Sequence, residues 1–291
     1  MDTRPLLFLD SGIGGIPYCR DFQLRNPGEP LIYLADRAHF PYGKRRREEL
    51  ARIVPALIEA LLEKADPKIA VIACNTATVS VLKIVREKFP RISFVGTVPA
   101  VKPAVLDSRS GVVGVLGTGR TIGDPYTGEL ARKYRRDCRI RGIAAPELVE
   151  FIERRYGSAG EDEKREMALT YVNKFRAAGA DAIVLGCTHF LFLLDEFRRE
   201  AAPDIRVYDS LEGISRRIES LLDRDGGRLR SGGLPSGGFS VPERRAAGDF
   251  LITGDAEPEA AWGEWAGRLG LRLSLLKRYG APGLSRTEGG A

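Results

Sequence analysis

The stretch KIAVIACNTATVSVL (residues 68–82) runs from a short apolar segment straight into Cys74 and then into small, helix-compatible residues. Its apolar part contains the β-branched residues that favour a buried strand. The polar residues that follow Cys74 are of the kind that cap a helix. The stretch therefore predicts a strand followed at once by a helix, with a thiol at the junction.

The same alternation continues along the rest of the chain. Short runs rich in Val, Ile and Leu indicate strands at PLLFLD, LIYLAD, KIAVIA, ISFVG, GVVGVLG, RIRGIA, DAIVLG, IRVYD and DFLIT. Between them lie segments such as residues 47–65 and 161–180, whose apolar residues recur every three or four positions, as on one face of a helix. Strands that alternate with helices in this way predict an α/β fold with mainly parallel sheets.

Length and composition limit the class of protein. The chain has 291 residues, which favours two domains, and its contents of 43% hydrophobic and 29% charged residues are those of a globular protein. No apolar run approaches the roughly 20 residues of a membrane helix, and PLLFLD is followed by no cleavage pattern of a signal peptide. We therefore expect a cytoplasmic protein with no membrane association.

The net charge of +6 raises the question of an acidic partner. The densest basic run is GKRRREEL (residues 43–50), which has no interleaved aromatic residues and ends in two glutamates and a leucine. A solvated helix face explains this run better than a nucleic-acid patch does. We expect no nucleic-acid partner, whereas a small anionic substrate is compatible with the charge.

The four cysteines, Cys19, Cys74, Cys138 and Cys187, are widely separated and form no C-x-x-C pair. This spacing argues against a disulfide framework and against a structural zinc site. Cys19 and Cys138 are interpreted as small core residues. Cys74 and Cys187 differ because each directly follows a predicted strand.

The two strand-end cysteines belong to an internal repeat. An early strand ends in LDSGIGG and a mid-chain strand ends in VLGTGRT, and each is followed at a similar distance by a strand that ends in cysteine. The cysteine segments read PKIAVIACNTA and ADAIVLGCTHF. Because parallel sheets bind ligands at the carboxyl ends of their strands, two such halves facing each other would form one pocket with a cysteine on each wall.

Two thiols on opposite walls suggest acid and base catalysis. A cysteine at the N-terminus of a helix feels partial positive charge, so we expect the pKa of such a thiol to be lowered. A single activated cysteine with a histidine, such as Cys187 with His189, would instead suggest a nucleophile of the hydrolase kind. With two cysteines, a thiolate can remove a proton from a carbon while a thiol returns one to the opposite face, which gives the mirror image of the substrate.

A set of motifs resembles those of the cofactor-independent glutamate racemases, within the aspartate/glutamate racemase superfamily. They are LFLDSGIGG, ADRAHFPYG, ACNTAT, VGTVPAVKPA, GVLGTGRTI, LVEFIE and LGCTH, in that family's order and spacing, and the resemblance resumes at FLITG. It implies interconversion of L- and D-glutamate without a cofactor or metal ion, as a supply of D-glutamate for peptidoglycan. Members of the family are often dimers, so the resemblance also implies a homodimer.

By the same resemblance, Cys74 and Cys187 are the two catalytic bases, with Cys74 serving D-glutamate and Cys187 serving L-glutamate. Asp10 and His189 are implied to assist them, one in each half-site. The substrate pocket is implied to contain Ser11, Pro41, Tyr42, Gly43, Asn75, Thr76, Thr118, Thr121, Glu153 and Thr188. Among these, Glu153 is the expected partner of His189.

The resemblance also implies that the C-terminal part of the chain completes the first domain. We predict a first domain of residues 1–96 plus 209–291, a second domain of residues 97–208, and a flexible Gly/Ser/Pro/Arg-rich loop at residues 224–248. The fold class is then two pseudo-symmetric, doubly wound α/β domains with the active site in the cleft between them. One departure from the family's pattern is Leu191, which stands where a helix-starting proline is usual.

Three alternatives stay open at this point. The chain would otherwise be a racemase of another acidic amino acid such as aspartate, a decarboxylase of the same superfamily, or a catalytically silent regulatory binding module. DSGIGG and PYG favour glutamate over aspartate. A decarboxylase needs only one cysteine, so the presence of both Cys74 and Cys187 in their motifs speaks against it, and the intact set of thiols and helpers speaks against a silent module.

Overall fold

The computed structural model describes residues 2–123, 125–227, 229, 248–255 and 259–276, and of Tyr126 only the backbone. The strands are β1 (Leu6–Asp10), β2 (Leu31–Ala35), β3 (Ile69–Ile72), β4 (Ser93–Gly96), β5 (Val112–Gly117), β6 (Arg139–Ala144), β7 (Ala182–Leu185), β8 (Arg206–Tyr208), β9 (Gly248–Thr253) and β10 (Arg272–Leu276). The helices are α1 (Ile16–Arg25), α2 (Arg47–Leu62), α3 (Asn75–Lys88), α4 (Val101–Asp107), α5 (Gly119–Gly123), α6 (Pro125–Tyr134), α7 (Pro146–Arg154), α8 (Glu161–Ala177), α9 (Leu194–Ala201), α10 (Leu211–Arg224) and α11 (Ala260–Leu269). Short 3₁₀ turns cover Arg37–His39, Tyr42–Lys44 and Thr188–Leu193.

The described strands form two parallel sheets. The first has the order β10-β9-β2-β1-β3-β4, and the second has the order β6-β5-β7-β8. β1 pairs with β2 and β3 while β3 pairs with β4, and β5 to β8 repeat the same scheme. The predicted fold class, two α/β domains with parallel sheets, is confirmed.

All nine predicted strands are present, and one further strand is not predicted from the sequence. β10 lies at the edge of the first sheet beyond β9, and Leu276 is the only buried residue in it. The central strands β1, β2, β3, β5 and β7 are buried throughout. Because they are covered on both faces, they read as continuous apolar runs, which the edge strand does not need.

The long helices start where the sequence analysis expects and end slightly earlier. α2 begins with a hydrogen bond of 2.8 Å from the backbone N–H of Arg46 to Oε2 of Glu49, as in a capping box. α8 has three acidic residues in its first turn and two basic residues in its last, which complements the helix macrodipole. The predicted segments 47–65 and 161–180 are thus helical except at their carboxyl ends.

The two cysteines occupy equivalent positions after β3 and β7, but the structures that follow them differ. Cys74 is the N-cap of α3. Cys187 precedes the 3₁₀ turn Thr188–Leu193, and α9 begins only at Leu194. The helix expected directly after Cys187 therefore starts later, and Leu191, in the place of the usual proline, lies inside the turn.

Residues around the first sheet (6–96 and 248–276) are called the first lobe, and those around the second sheet (101–208) are called the second lobe. The predicted domain boundaries at 96/97 and 208/209 stay predictions. No helix of the described residues is long and apolar enough to cross a membrane.

The predicted flexible loop 224–248 falls largely outside the described residues, since only 224–227, 229 and 248 of it are described.

A buried ion pair lies at the amino end of the first sheet, where Lys68 Nζ is 2.7 Å from Glu29 Oε2. Lys68 also donates to the backbone carbonyls of Asp2 and Gly227. Lys68, the residue before β3, therefore connects Asp2 and the residues that follow α10 to the amino end of the first sheet.

Candidate active site

A cavity of about 550 Å³ lies between the carboxyl ends of the two sheets. Its first-lobe wall consists of residues that follow β1, β2 and β3, and its second-lobe wall consists of residues that follow β5, β6 and β7. The lining residues are Ser11, Phe40, Pro41, Tyr42, Gly43, Lys44, Cys74, Asn75, Thr76, Thr118, Gly119, Thr121, Pro146, Glu147, Val149, Glu150, Glu153, Arg154, Gly186, Cys187, Thr188 and His189. They include every predicted site residue except Asp10, which is fully buried.

Cys74 and Asp10 form the half-site of the first lobe. Asp10 is the last residue of β1, and its Oδ2 accepts a hydrogen bond of 2.8 Å from the backbone N–H of Gly15. Its Oδ1 is buried and has no hydrogen-bond partner among the described residues. One oxygen of the carboxyl group is therefore without a partner in the described part of the chain, and the charge of Asp10 acts on the thiol of Cys74.

Burial raises the pKa of the Cys74 thiol well above its usual value, and the charge of Asp10 raises it further. The expected lowering by the helix N-terminus is wrong for Cys74, because desolvation of a thiolate outweighs the contribution of the backbone N–H of Ala77. Burial also raises the pKa of Asp10. Near neutral pH Cys74 is consequently a thiol that can donate a proton.

Cys187, His189 and Glu153 form the half-site of the second lobe. His189 Nδ1 lies 3.7 Å from Cys187 Sγ, and His189 Nε2 lies 2.6 Å from Glu153 Oε1. The same carboxylate oxygen accepts a hydrogen bond of 2.9 Å from the backbone N–H of Ile13. The imidazole is held on both sides, and the loop after β1 contributes to the half-site of the other lobe.

Burial by itself lowers the pKa of His189, but the hydrogen bonds to Cys187 and Glu153 and the negative charge of Glu153 raise it well above its usual value. The ring is therefore an imidazolium near neutral pH. A cation in this position stabilises negative charge that develops on the sulfur of Cys187. The half-sites thus differ in charge, with a carboxyl group beside Cys74 and a cation beside Cys187.

Two glycines of the loop after β1 allow the lobes to pack this closely. A Cβ atom on Gly12 would lie 2.1 Å from Glu153 Oε1, and one on Gly14 would lie 2.5 Å from His189 Nδ1. Cβ atoms do not approach other heavy atoms so closely, so any larger residue would displace the second-lobe side chains. The motif DSGIGG therefore provides space for the second half-site as well as polar groups for the first.

Asn75 and three threonines connect the two walls of the cavity. Asn75 Nδ2 donates a hydrogen bond of 2.8 Å to the carbonyl of Gly186, while its Oδ1 is buried without a partner in the described part of the chain. Thr118 Oγ1 lies 3.4 Å from Thr76 Oγ1 and 3.0 Å from Thr121 Oγ1. An unpartnered amide oxygen and a group of hydroxyls suit a small ligand that carries both ammonium and carboxylate groups.

Tyr42 is held by a buried carboxylate that lies outside the cavity wall. Asp36, directly after β2, accepts a hydrogen bond of 2.7 Å from the Tyr42 hydroxyl and one of 2.6 Å from Thr253 Oγ1, at the end of β9. His39 Nδ1 lies 3.0 Å from both oxygens of Asp36. The C-terminal segment therefore supports the loop that lines the cavity.

The sequence analysis missed several lining residues. They are Phe40, Lys44, Gly119, Pro146, Glu147, Val149, Glu150, Arg154 and Gly186. Most of them belong to α7, which begins directly after β6. RIRGIA is itself a predicted strand, so the rule that ligands bind at the carboxyl ends of parallel strands also indicates the start of this helix.

The chain is similar to a known family over most of its length. The family model described as Asp/Glu/Hydantoin racemase matches residues 21–214. The glutamate racemase of Roseiflexus sp. (strain RS-1) is 38% identical over 249 residues, which are 84% of this chain and 90% of that protein. The glutamate racemase of Brucella canis is 39% identical over 221 residues, which are 75% of this chain and 80% of that protein.

The fold is also that of a solved racemase. A crystal structure of Escherichia coli glutamate racemase, in complex with L-glutamate and the activator UDP-MurNAc-ala, superposes with a TM-score of 0.76 at 29% sequence identity. The match covers 94% of this chain and 98% of that chain. The similarity therefore spans both lobes.

Proposed function

We propose that this chain, which belongs to the Asp/Glu/Hydantoin racemase family, is a glutamate racemase that uses two cysteines as acid and base. Family membership gives the enzyme class, an amino-acid racemase. One observation carries the proposal: Cys74 and Cys187 follow the equivalent strands β3 and β7 and both line one cavity. Each also has its own buried titratable neighbour, Asp10 or His189.

In the direction from L- to D-glutamate, Cys187 acts as a thiolate and removes the α-proton. The imidazolium of His189 stabilises that thiolate, and Glu153 keeps the ring charged and oriented. Cys74, whose raised pKa keeps it a thiol, donates its proton to the opposite face of the α-carbon. The product is D-glutamate, and the two cysteines have exchanged their protonation states.

The reverse direction uses the same groups in the opposite order. It starts from the protonation states that the forward direction leaves, with Cys74 as a thiolate and Cys187 as a thiol, and the charge of Asp10, which raises the pKa of Cys74, makes this thiolate a stronger base. The Cys74 thiolate removes the α-proton of D-glutamate and becomes a thiol, while the Cys187 thiol donates its proton to the opposite face of the α-carbon and becomes a thiolate. Each thiol thus serves one enantiomer as base and the other as acid.

The polar atoms between the cysteines support glutamate as the substrate. Asn75 Oδ1 would accept a hydrogen bond from the α-ammonium group, which satisfies a buried atom that has no partner in the described residues. The hydroxyls of Thr76 and Thr118 would bind a carboxylate. The names of the relatives and the L-glutamate bound in the Escherichia coli structure support the same substrate.

This mechanism uses only side chains of the protein, so the proposal includes neither an organic cofactor nor a metal ion. The corresponding physiological role is the supply of D-glutamate for peptidoglycan synthesis in the cytoplasm. The family resemblance supports this role, and it equally supports a homodimer. Gel filtration with light scattering of the purified protein would test the dimer directly.

Circular dichroism of the purified protein with each enantiomer of glutamate tests the proposed reaction. The signal of L-glutamate should decay to zero without added cofactor, and D-glutamate should reach the same end point. Cys74→Ala and Cys187→Ala should leave both signals constant. Full racemisation by either Cys→Ala variant would contradict the two-base mechanism.

The same assay with L-aspartate separates the alternatives. A decay that is faster with L-aspartate than with L-glutamate would make the protein a racemase of another acidic amino acid. Constant signals with both substrates, together with measurable binding of either, would favour a regulatory binding module. The proposal predicts rapid decay with L-glutamate and little change with L-aspartate.

A further inference from the structure

One side chain joins the two lobes beside the cavity without lining it. Arg120 belongs to α5 and lies between Thr118 and Thr121, which both line the cavity. Its Nη2 donates a hydrogen bond to the backbone carbonyl of Arg45, in the first lobe. Arg45 directly follows the turn Tyr42–Lys44, all of whose residues line the cavity.

Arg45 is in turn tied to the loop that carries this turn. Its backbone N–H donates a hydrogen bond of 3.0 Å to the carbonyl of Tyr42, and its Nε donates one of 3.2 Å to the carbonyl of His39. The same turn also lies close to the second lobe at Gly43, where a Cβ atom would be in ordinary contact with Thr118, at 3.5 Å. A restraint on the Arg45 carbonyl therefore acts on the whole turn.

The surroundings of Arg120 point to this bond as the reason for its position. No described carboxylate forms an ion pair with Arg120, and its Nε is buried with no hydrogen-bond partner among the described residues. Burying part of a guanidinium without a counter-ion costs free energy. The hydrogen bond to Arg45 is the contact that offsets this cost.

We propose that Arg120 is a positioning residue that fastens the turn Tyr42–Lys44 of the first lobe to α5 of the second lobe and so keeps the site closed. The inference rests on the proposed function, because the turn supplies Tyr42 and Gly43 to the glutamate site. Arg120 does not line the cavity, so its loss leaves the chemistry of the closed form unchanged. Loss of Arg120 lowers the fraction of molecules in which the site between the lobes is closed. The apparent affinity for substrate falls in proportion to that fraction.

Arg120→Met tests the inference because it removes the donors and keeps most of the aliphatic length. We expect KM for both enantiomers to rise about tenfold, the effect of losing a hydrogen bond from a charged donor. At saturation kcat should stay within about twofold of the wild-type value. Arg120→Lys, which keeps a positively charged donor, should recover part of the lost affinity.

Arg86→Met is the matched control. Arg86 Nη2 also donates to a backbone carbonyl, that of Phe94 at 2.8 Å, but both residues belong to the first lobe. KM should not change in this variant. A KM that rises equally in Arg86→Met and Arg120→Met would mean a general loss of structure and would overturn the inference.

Amide hydrogen exchange of the unliganded protein provides a readout that does not depend on activity. The amides of Lys44 and Arg45, which donate to the carbonyls of Pro41 and Tyr42, should exchange faster in Arg120→Met than in the wild type or in Arg86→Met. If the wild type fails to racemise glutamate, the proposed function fails, and the exchange rates still decide whether Arg120 fastens the turn. Unchanged exchange at both amides would overturn the inference.

Discussion

His189 Nε2 lies 2.6 Å from Glu153 Oε1, and that same oxygen accepts the backbone N–H of Ile13 from the other lobe. The carboxylate therefore fixes the imidazole on the side away from Cys187 and keeps it charged. A cation beside a sulfur stabilises a thiolate, which suits the proposed role of Cys187 as a base. Cys74 has the carboxyl group of Asp10 beside it instead, whose charge contributes to raising the pKa of the Cys74 thiol.

Glu153→Gln should weaken the Cys187 half-site while preserving the size of the side chain. The substitution removes the charge that helps to raise the pKa of His189, so that pKa should fall toward its usual value. The alkaline limb of the kcat profile should then move to lower pH, and kcat at neutral pH should fall about tenfold. Steady-state rates between about pH 6 and 10, the range in which histidine and thiol groups titrate, measure both effects.

Glu196→Gln is a suitable control for this variant, because Glu196 is a buried carboxyl group of the same lobe that does not line the cavity. The alkaline limb of the kcat profile of Glu196→Gln should coincide with that of the wild type. An alkaline limb that stays in place in Glu153→Gln would show that Glu153 does not set the protonation of His189.

The two cysteines should be separable by exchange of the substrate's α-proton in heavy water. Cys187→Ser retains Cys74 and should exchange only D-glutamate, whereas Cys74→Ser retains Cys187 and should exchange only L-glutamate. Proton NMR of each enantiomer follows the loss of the α-proton signal. Cys138→Ala, which changes a thiol outside the cavity, should behave like the wild type. Exchange of both enantiomers by one of the two serine variants would contradict the assignment of faces.

Folding stability should depend on pH through His189. Its pKa in the folded protein lies well above the unfolded value of about 6.5, so folding favours the protonated ring. This contribution is fully present below about pH 6.5 and is lost as the pH rises through the folded pKa. Urea denaturation at a series of pH values should show the loss, and Glu153→Gln should show a smaller one. If the free energy of unfolding depends on pH equally in the wild type and in Glu153→Gln, the result would contradict a contribution of Glu153 to the raised pKa of His189.

The strands were predictable because parallel sheets with covered faces require continuous apolar runs, as in KIAVIA and DAIVLG. β10 was missed because an edge strand with one buried residue needs no such run. The placement of Cys74 and Cys187 in one cavity followed from their equivalent positions after β3 and β7. These features are periodic or local, and a single sequence contains them.

The remaining features depend on segments that are far apart in the chain. Nothing in the sequence near Ile13 indicates its hydrogen bond to Glu153, which depends on how the two lobes face each other. The predicted direction of the pKa shift of Cys74 is wrong for a related reason. The charge of a helix N-terminus is local and readable, whereas the desolvation that outweighs it comes from the packing of the whole site.

Lys68→Met should destabilise the protein without changing the chemistry. It leaves the buried carboxylate of Glu29 without its cation, and the carbonyls of Asp2 and Gly227 lose a donor. We expect the free energy of unfolding to fall by about 3 to 5 kcal/mol, measured by urea denaturation. Adding Glu29→Gln should cost less than the sum of the single changes, because no isolated charge then remains. A fully additive double variant would contradict a coupled ion pair.

Gly14→Ala should disable the Cys187 half-site while the protein stays folded. The added Cβ would lie 2.5 Å from His189 Nδ1 and 2.7 Å from Asp10 Oδ2, so either the ring or the loop must move. Displacement of a catalytic group by about 1 Å costs about a hundredfold in rate, and we expect kcat to fall by that order. Gly213→Ala is the control, since a Cβ atom there meets nothing within 4 Å. Circular dichroism on heating should show that both variants fold, and wild-type kcat in Gly14→Ala would disprove the tight packing of the loop on His189.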